Sequence, residues 1–187
     1  MGGSHTYTQP LKPPTTSSRL LQQADSVKKR SQADPYTEGL ALLARREMFT
    51  EELRGRLLRQ GYNAQQVEES IRRLTARGAL NNLRAAIAYA RHAVQNKSRG
   101  RGRVLKELDQ RGVSPGDSQQ ATDEAYDDIN ETILLSRVLN RKLSGPITNQ
   151  AHFRRLYAAL LRQGFDGTDI VKLLKAKTAS TDFSIDQ

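Results

Sequence analysis

The sequence predicts an all-α protein built as three tandem three-helix repeats stacked in an elongated array. Two observations carry this reading. Two apolar residues four apart, with a glycine four further on, occur three times: Leu53, Leu57, Gly61; Val104, Leu108, Gly112; Leu156, Leu160, Gly164. The first and third copies also share the string Leu-Leu-Arg-Gln-Gly at 57–61 and 160–164. Self-similarity at a fixed pitch is the mark of tandem structural repeats. In addition, aromatics make up only 5% of the chain and tryptophan is absent. Leu, Ala, Ile and Val must therefore do the burying, which suits thin helical units.

Each element follows from local chemistry. Apolar residues four apart share one helical face, and a glycine beyond them can take the left-handed conformation that closes a helix. The next residue is apolar in every copy: Tyr62, Val113, Phe165. That residue folds back on the last turn, as a Schellman stop requires. A helix precedes each copy, marked by Leu40, Leu42 and Leu43, then Ile87, Ala90 and Val94, then Leu134, Leu135, Val138 and Leu139. A third helix follows each glycine, marked by Val67, Ile71 and Leu74 in the first unit and by Ile170, Val171 and Leu174 in the third. In the second unit Ser114-Pro115 supplies an N-cap and a first-turn proline, but the helix offers only Ala121 and Ala125.

The units span 37–80, 81–126 and 127–177, with no Pro/Gly/Ser linker between them. Close packing of neighbours is expected. Ser144-Gly145-Pro146 interrupts the third unit between its first two helices. Residues 1–36, with Pro10, Pro13 and Pro14 and the basic run Lys28-Lys29-Arg30, read as a disordered basic tail, and 178–187 as a flexible polar tail.

Charge narrows the function classes. There are 30 Lys+Arg against 20 Asp+Glu, a formal net charge of +10, which favours polyanionic partners. Residues 81–112 are strongly basic, with only Glu107 and Asp109 as acids, whereas 113–132 hold six acids and no Lys or Arg. The segment Lys97, Arg99, Arg101, Arg103 and Lys106 reads as a flexible basic turn for phosphates or acidic side chains, against an equally weighted reading as a solvated loop. The amides of Gly100 and Gly102 are candidates to hold an anion. Arg72, Arg73 and Arg77 form a second basic cluster, where an i, i+4 pair between Glu69 and Arg73 competes with any partner role. The same caution covers Arg154 and Arg155. The acidic block reads as a solvated helix face.

No reaction chemistry stands out. The chain has no cysteine. His5, His92 and His152 lack ligand spacing, and neither a phosphate-binding P-loop nor a Gly-x-Ser-x-Gly elbow occurs. The expectation is a protein without enzymatic activity, cofactor or metal. No apolar run is long enough for a bilayer, so a cytoplasmic protein is expected.

Several stretches together resemble the RecX family of regulatory proteins. Leu40-Ala41-Leu42-Leu43-Ala44-Arg45-Arg46-Glu47, Glu52-Leu53, Leu57, Gly61, Ile71, Leu74 and Gly78-Ala79-Leu80-Asn81 look like its first repeat. Gly100, Gly102, Leu105, Glu107-Leu108 and Arg111-Gly112-Val113 look like its second, and Leu160-Leu161-Arg162-Gln163-Gly164-Phe165 with Ile170 like its third. The match covers about residues 37 to 175. Two departures stand out: Asn82 where the family often has Asp, and Ser118 where an apolar residue is expected.

The resemblance implies an elongated, curved array and a cytoplasmic modulator that binds the RecA–DNA filament along its groove. It implies suppression of RecA's ATP hydrolysis, strand exchange and the coprotease activity that cleaves the LexA repressor, hence of the SOS response. The expected partner is the RecA filament, with single- or double-stranded DNA as a further candidate and no membrane, and the chain is expected to be a monomer. On this reading Arg72, Arg73, Arg77, Lys97, Arg99, Arg101, Arg103 and Lys106 contact RecA or DNA, and charge reversal at Arg99, Arg101 and Arg103 weakens inhibition without unfolding the chain. The alternative is a direct, non-specific nucleic-acid-binding helical module.

Overall fold

Seven helices of the computed structural model, which describes residues 34–178, begin at a side chain that caps its own first turn. They are α1 (Pro35–Leu43), α3 (Ala64–Ala76), α4 (Asn82–Lys97), α6 (Pro115–Tyr126), α7 (Glu131–Asn140), α8 (Gln150–Arg162) and α9 (Gly167–Lys175). The capping residues are Asp34, Asn63, Asn81, Ser114, Asn130, Asn149 and Asp166, each accepting from an amide two or three residues on. Each such bond satisfies a donor that has no partner within the helix. The described residues are all-helical apart from one isolated parallel bridge, Ile147 to Thr178. The expected tails at 1–33 and 179–187 lie outside the described residues. Helix α1 starts at Pro35, two residues inside the stretch assigned to the N-terminal tail, and Thr178 is paired through the bridge.

The two remaining helices, α2 (Thr50–Arg59) and α5 (Arg101–Asp109), have no side-chain cap of their own. Each borrows one from residues that follow later in the chain. The Thr50 amide and hydroxyl donate to Asn82 Oδ1 at 2.9 and 3.0 Å, so a residue of α4 caps α2. Asn82 thereby has a structural task, and its difference from the family's Asp keeps the acceptor oxygen. The amides of Gly100 and Gly102 donate to the carbonyls of Gln163 and Gly164 at 2.9 and 3.1 Å. The end of α8 thus meets the start of α5.

Helices α2, α5 and α8 close as the spacing predicts. Gly61, Gly112 and Gly164 have φ of 91°, 72° and 91°. In each turn the glycine amide bonds back to Leu58, Asp109 or Leu161, and the following amide to Leu57, Leu108 or Leu160. Those are the paired bonds of a Schellman stop, and Tyr62, Val113 and Phe165 are buried as its apolar residue.

The principal helix contacts fall within successive triplets, α1–α3, α4–α6 and α7–α9. The core, however, is divided in two. One cluster runs from Tyr36 to Leu80 around Leu53, Leu57, Val67 and Leu74. The other joins the second and third triplets, from Ala85 to Leu174, and takes in Phe49 from the first. Phe49 meets Tyr89 edge-on, with ring centroids 6.3 Å apart. Leu40, one of the residues that mark α1, is 38% exposed, while Leu42 on the same helix is buried.

Helix α6 corrects the expectation of a weak element. It buries Ser118, Ala121, Thr122 and Tyr126 and packs on α4, which presents Ala86, Ala90 and Ala93. Small side chains on both helices let the backbones approach closely, so shape replaces apolar bulk. Thr122 satisfies its hydroxyl by donating to the Ser118 carbonyl at 2.7 Å. Ser118 Oγ is buried and has no hydrogen-bond partner among the described residues.

Two stability predictions follow from these contacts. A Cβ at Gly61 meets open space, so Gly61→Ala costs only the left-handed strain, about 1–2 kcal/mol. A Cβ at Gly164 runs into the backbone of Arg103, so Gly164→Ala must cost clearly more than Gly61→Ala in chemical denaturation. Equal losses refute the close contact. Ser118→Ala removes a buried hydroxyl that nothing satisfies, and is expected to be neutral or stabilising by up to about 1 kcal/mol. A loss above that refutes the assignment of an unpartnered hydroxyl.

Candidate partner-binding surface

The basic segment is not a flexible turn. Helix α4 ends at Ser98 in the left-handed region (φ 49°), and α5 begins at once at Arg101. Gly100 and Gly102 have already committed their amides to Gln163 and Gly164, so these amides do not form an anion site. A Cβ at Gly100 would lie 2.5 Å from the Gly164 carbonyl carbon. The glycines serve close backbone approach.

The arginines of this segment are engaged inside the molecule. Arg99 donates to Gln163 Oε1 at 3.1 Å and lies 3.9 Å from Glu107. Arg101 bridges Glu131 at 3.0 Å and Asp123, and its guanidinium sits 4.8 Å from the Tyr126 ring centroid. Arg103 pairs with Glu107 at 2.6 Å. Glu107 is 8% exposed and also accepts from the Tyr89 hydroxyl at 2.5 Å. Burial alone would raise the Glu107 carboxyl, but the bonds from Tyr89 and Arg103 outweigh it and hold its pKa below the ordinary value. Tyr89 moves the other way, raised by burial and by its bond to that carboxylate. Arg111 stacks over Tyr89 at 4.2 Å, and the Tyr126 hydroxyl donates to the Arg99 carbonyl at 2.6 Å. Burial likewise pushes the Tyr126 phenol above its usual range.

The acidic block is correspondingly not a merely solvated face. Asp123 and Glu131 hold Arg101, and Glu124 holds Arg91 at 2.6 Å. The cluster on α3 differs from expectation in its pairing. Glu69 holds Arg72, at 2.7 Å, rather than Arg73. Arg73 lies 4.2 Å from the Tyr36 ring centroid and Arg77 5.7 Å, so both tie α3 to α1. Of the eight candidate cations, Lys97 and Lys106 are exposed and have no acidic partner among the described residues.

Cations outside the predicted set are freer. Arg154, Arg155 and Arg162 on α8 are exposed, and no carboxylate holds them among the described residues. The ion-pair caution attached to Arg154 and Arg155 is thereby overturned. The signal was present in the sequence as an absence, since no Asp or Glu occurs between Glu131 and Asp166.

Among the described residues no three His, Asp or Glu side chains gather as a metal-ligand set, and no helix is long and apolar enough to cross a membrane. The described residues form an all-helical protein with charged faces. No family model matches the chain. Regulatory protein RecX of Treponema pallidum (strain Nichols) is 33% identical over 117 residues, covering 61% of this chain and 71% of the relative. Regulatory protein RecX of Pseudomonas entomophila is 30% identical over 137 residues, covering 73% and 86%. That of Pelodictyon phaeoclathratiforme is 27% identical over 141 residues, covering 74% and 86%. The crystal structure of RecX from Lactobacillus salivarius superposes with a TM-score of 0.59 at 18% identity, covering 82% of this chain and 99% of that one. A second crystal structure, of regulatory protein RecX, gives 0.61 at 16% identity, covering 91% and 81%. These structures share the fold. The chain belongs to the RecX family of regulatory proteins.

The ion pairs make a prediction that departs from the sequence reading. Arg101→Glu sets a third carboxylate beside Asp123 and Glu131 and is expected to destabilise the fold by about 1–3 kcal/mol, so charge reversal here does not leave the chain untouched. Glu107→Gln is expected to cost a similar amount at neutral pH. Because the Glu107 carboxyl is depressed in the folded state, its stabilisation is present above the unfolded carboxylate pKa and disappears as pH falls through the lower folded value. The two proteins should converge in stability on the acid side. A constant difference down to low pH would show that charge at Glu107 contributes nothing.

Proposed function

We propose that this protein binds the filament formed by RecA on DNA and inhibits RecA's ATPase, strand exchange and coprotease activities, so regulating recombinational DNA repair and the SOS response. The observation that carries this reading is membership of the RecX family, whose members are named as regulatory proteins. Catalysis has no part in it, and the protein acts as a cytoplasmic monomer. The nine described helices are read as three tandem three-helix repeats in an elongated, curved array. The three Schellman turns and the contacts within triplets support that reading. Such an array lays several helix ends along a groove, where a globule would touch at one patch.

Within this reading the eight candidate cations divide into two kinds. Lys97 and Lys106 offer charge directly. Arg72, Arg99, Arg101 and Arg103 offer it by giving up an internal carboxylate or amide, and Arg73 and Arg77 by leaving Tyr36. Exchange of one anionic partner for another is a modest step at an exposed pair such as Arg72 with Glu69.

The test is RecA's single-stranded-DNA-dependent ATPase, with this protein titrated against cognate RecA. A dose-dependent fall is expected, and a fall well below stoichiometry points to capping of filament growth. No effect at saturating protein overturns the reading.

A further inference from the structure

The three triplets carry equivalent helices whose surfaces differ in one respect. Aligned on the buried Leu53, Val104 and Leu156, helices α2, α5 and α8 occupy the same place in their triplets. In α2, Arg54 is held by Glu51 and Glu68, and Arg56 by Glu52. In α5, Arg101 and Arg103 are held by Asp123, Glu131 and Glu107. Helix α8 contains no acidic residue. Arg154 and Arg155 stand where α2 has Glu51 and Glu52, so the charge is reversed at those two positions, while Arg162 matches Arg59 of α2.

That comparison separates folding from function. The first triplet packs with carboxylates at these positions, so the helix does not need arginines there to fold. Arg154, Arg155 and Arg162 also bond to nothing among the described residues and repel one another. Arg155, Ala158 and Arg162 follow at i, i+3 and i+7, which places them on one stripe facing away from the buried Leu156 and Leu160. Arg154 borders the stripe. Arg155 and Arg162 are separated by about 10 Å of helix rise, close to three base-pair rises along a duplex axis. The residue between them is alanine, which leaves room for a sugar–phosphate backbone. A protein interface is centred instead on large side chains buried by the partner. Guanidinium forks match phosphate oxygens two at a time.

We propose that the exposed face of α8, through Arg154, Arg155 and Arg162, grips the phosphate backbone of nucleic acid without reading its sequence. This deepens the filament reading and rests on it only for where the nucleic acid is met. Because the test omits RecA, its failure leaves that reading standing.

The experiment measures binding of the full chain to a labelled duplex oligonucleotide and to the matching single strand over a series of salt concentrations. Replacing Arg154, Arg155 and Arg162 together by alanine is expected to weaken binding equally for unrelated sequences. The slope of log affinity against log salt should fall by about two to three on duplex and by somewhat less on single strand. The variant Arg154→Glu/Arg155→Glu writes the first triplet's own residues into the third, which guards against misfolding, and should weaken binding further. An unchanged slope in either folded variant overturns the proposal, as does failure of the wild-type protein to bind either probe at low salt.

Discussion

Gly100 and Gly102 hand their backbone amides to the two carbonyls that close α8, and this contact organises residues 81–178. Only glycine fits on either side of it. A Cβ at Gly100 or Gly164 would enter the opposing main chain, and Gly164 also needs a positive φ to end its own helix. With the chains this close, Arg99 reaches Gln163, Phe165 drops into the shared core, and the Tyr126 hydroxyl bonds the Arg99 carbonyl. The second and third triplets become one packed body. The first triplet joins them through different chemistry: Asn82 on Thr50, Arg84 on Glu47 at 2.5 Å, and Phe49 against Tyr89.

What was legible in the sequence was local. Caps such as Ser114 and stops such as Gly61-Tyr62 depend on a few neighbouring residues, so their spacing gave helix ends and order. The packing of α6 was less legible, because its interface with α4 works by smallness and a hydropathy pattern registers bulk. Ion pairing was least legible. Sequence spacing offered Glu69 either Arg72 or Arg73, and it was Tyr36, 37 residues before Arg73, that drew Arg73 away. Glu131 and Asp123 belong to helices other than α5, so no window around Arg101 contained them both.

The same lesson governs the surface. Counting bases along the chain singled out 81–112, where carboxylates from elsewhere neutralise much of what was counted. The relevant quantity is charge left over after folding, and by that measure α8 stands out through a lack of acids. An arginine next to a carboxylate holds helices together, whereas one without it keeps its full field for a partner. Both kinds occur at equivalent helices of this molecule, so the contrast is between residues and not between folds.

The borrowed caps also run in one direction. Helix α2 waits for Asn82, and α5 waits for Gln163 and Gly164. In both cases the donor helix precedes its acceptor in the chain. During synthesis on a ribosome, which releases the N-terminal part first, the second triplet emerges with the first turn of α5 uncapped and stays so until the end of α8 leaves the exit tunnel. A nascent chain stopped before Gln163 therefore carries frayed amides at the start of α5, and completion of the protein is what closes them.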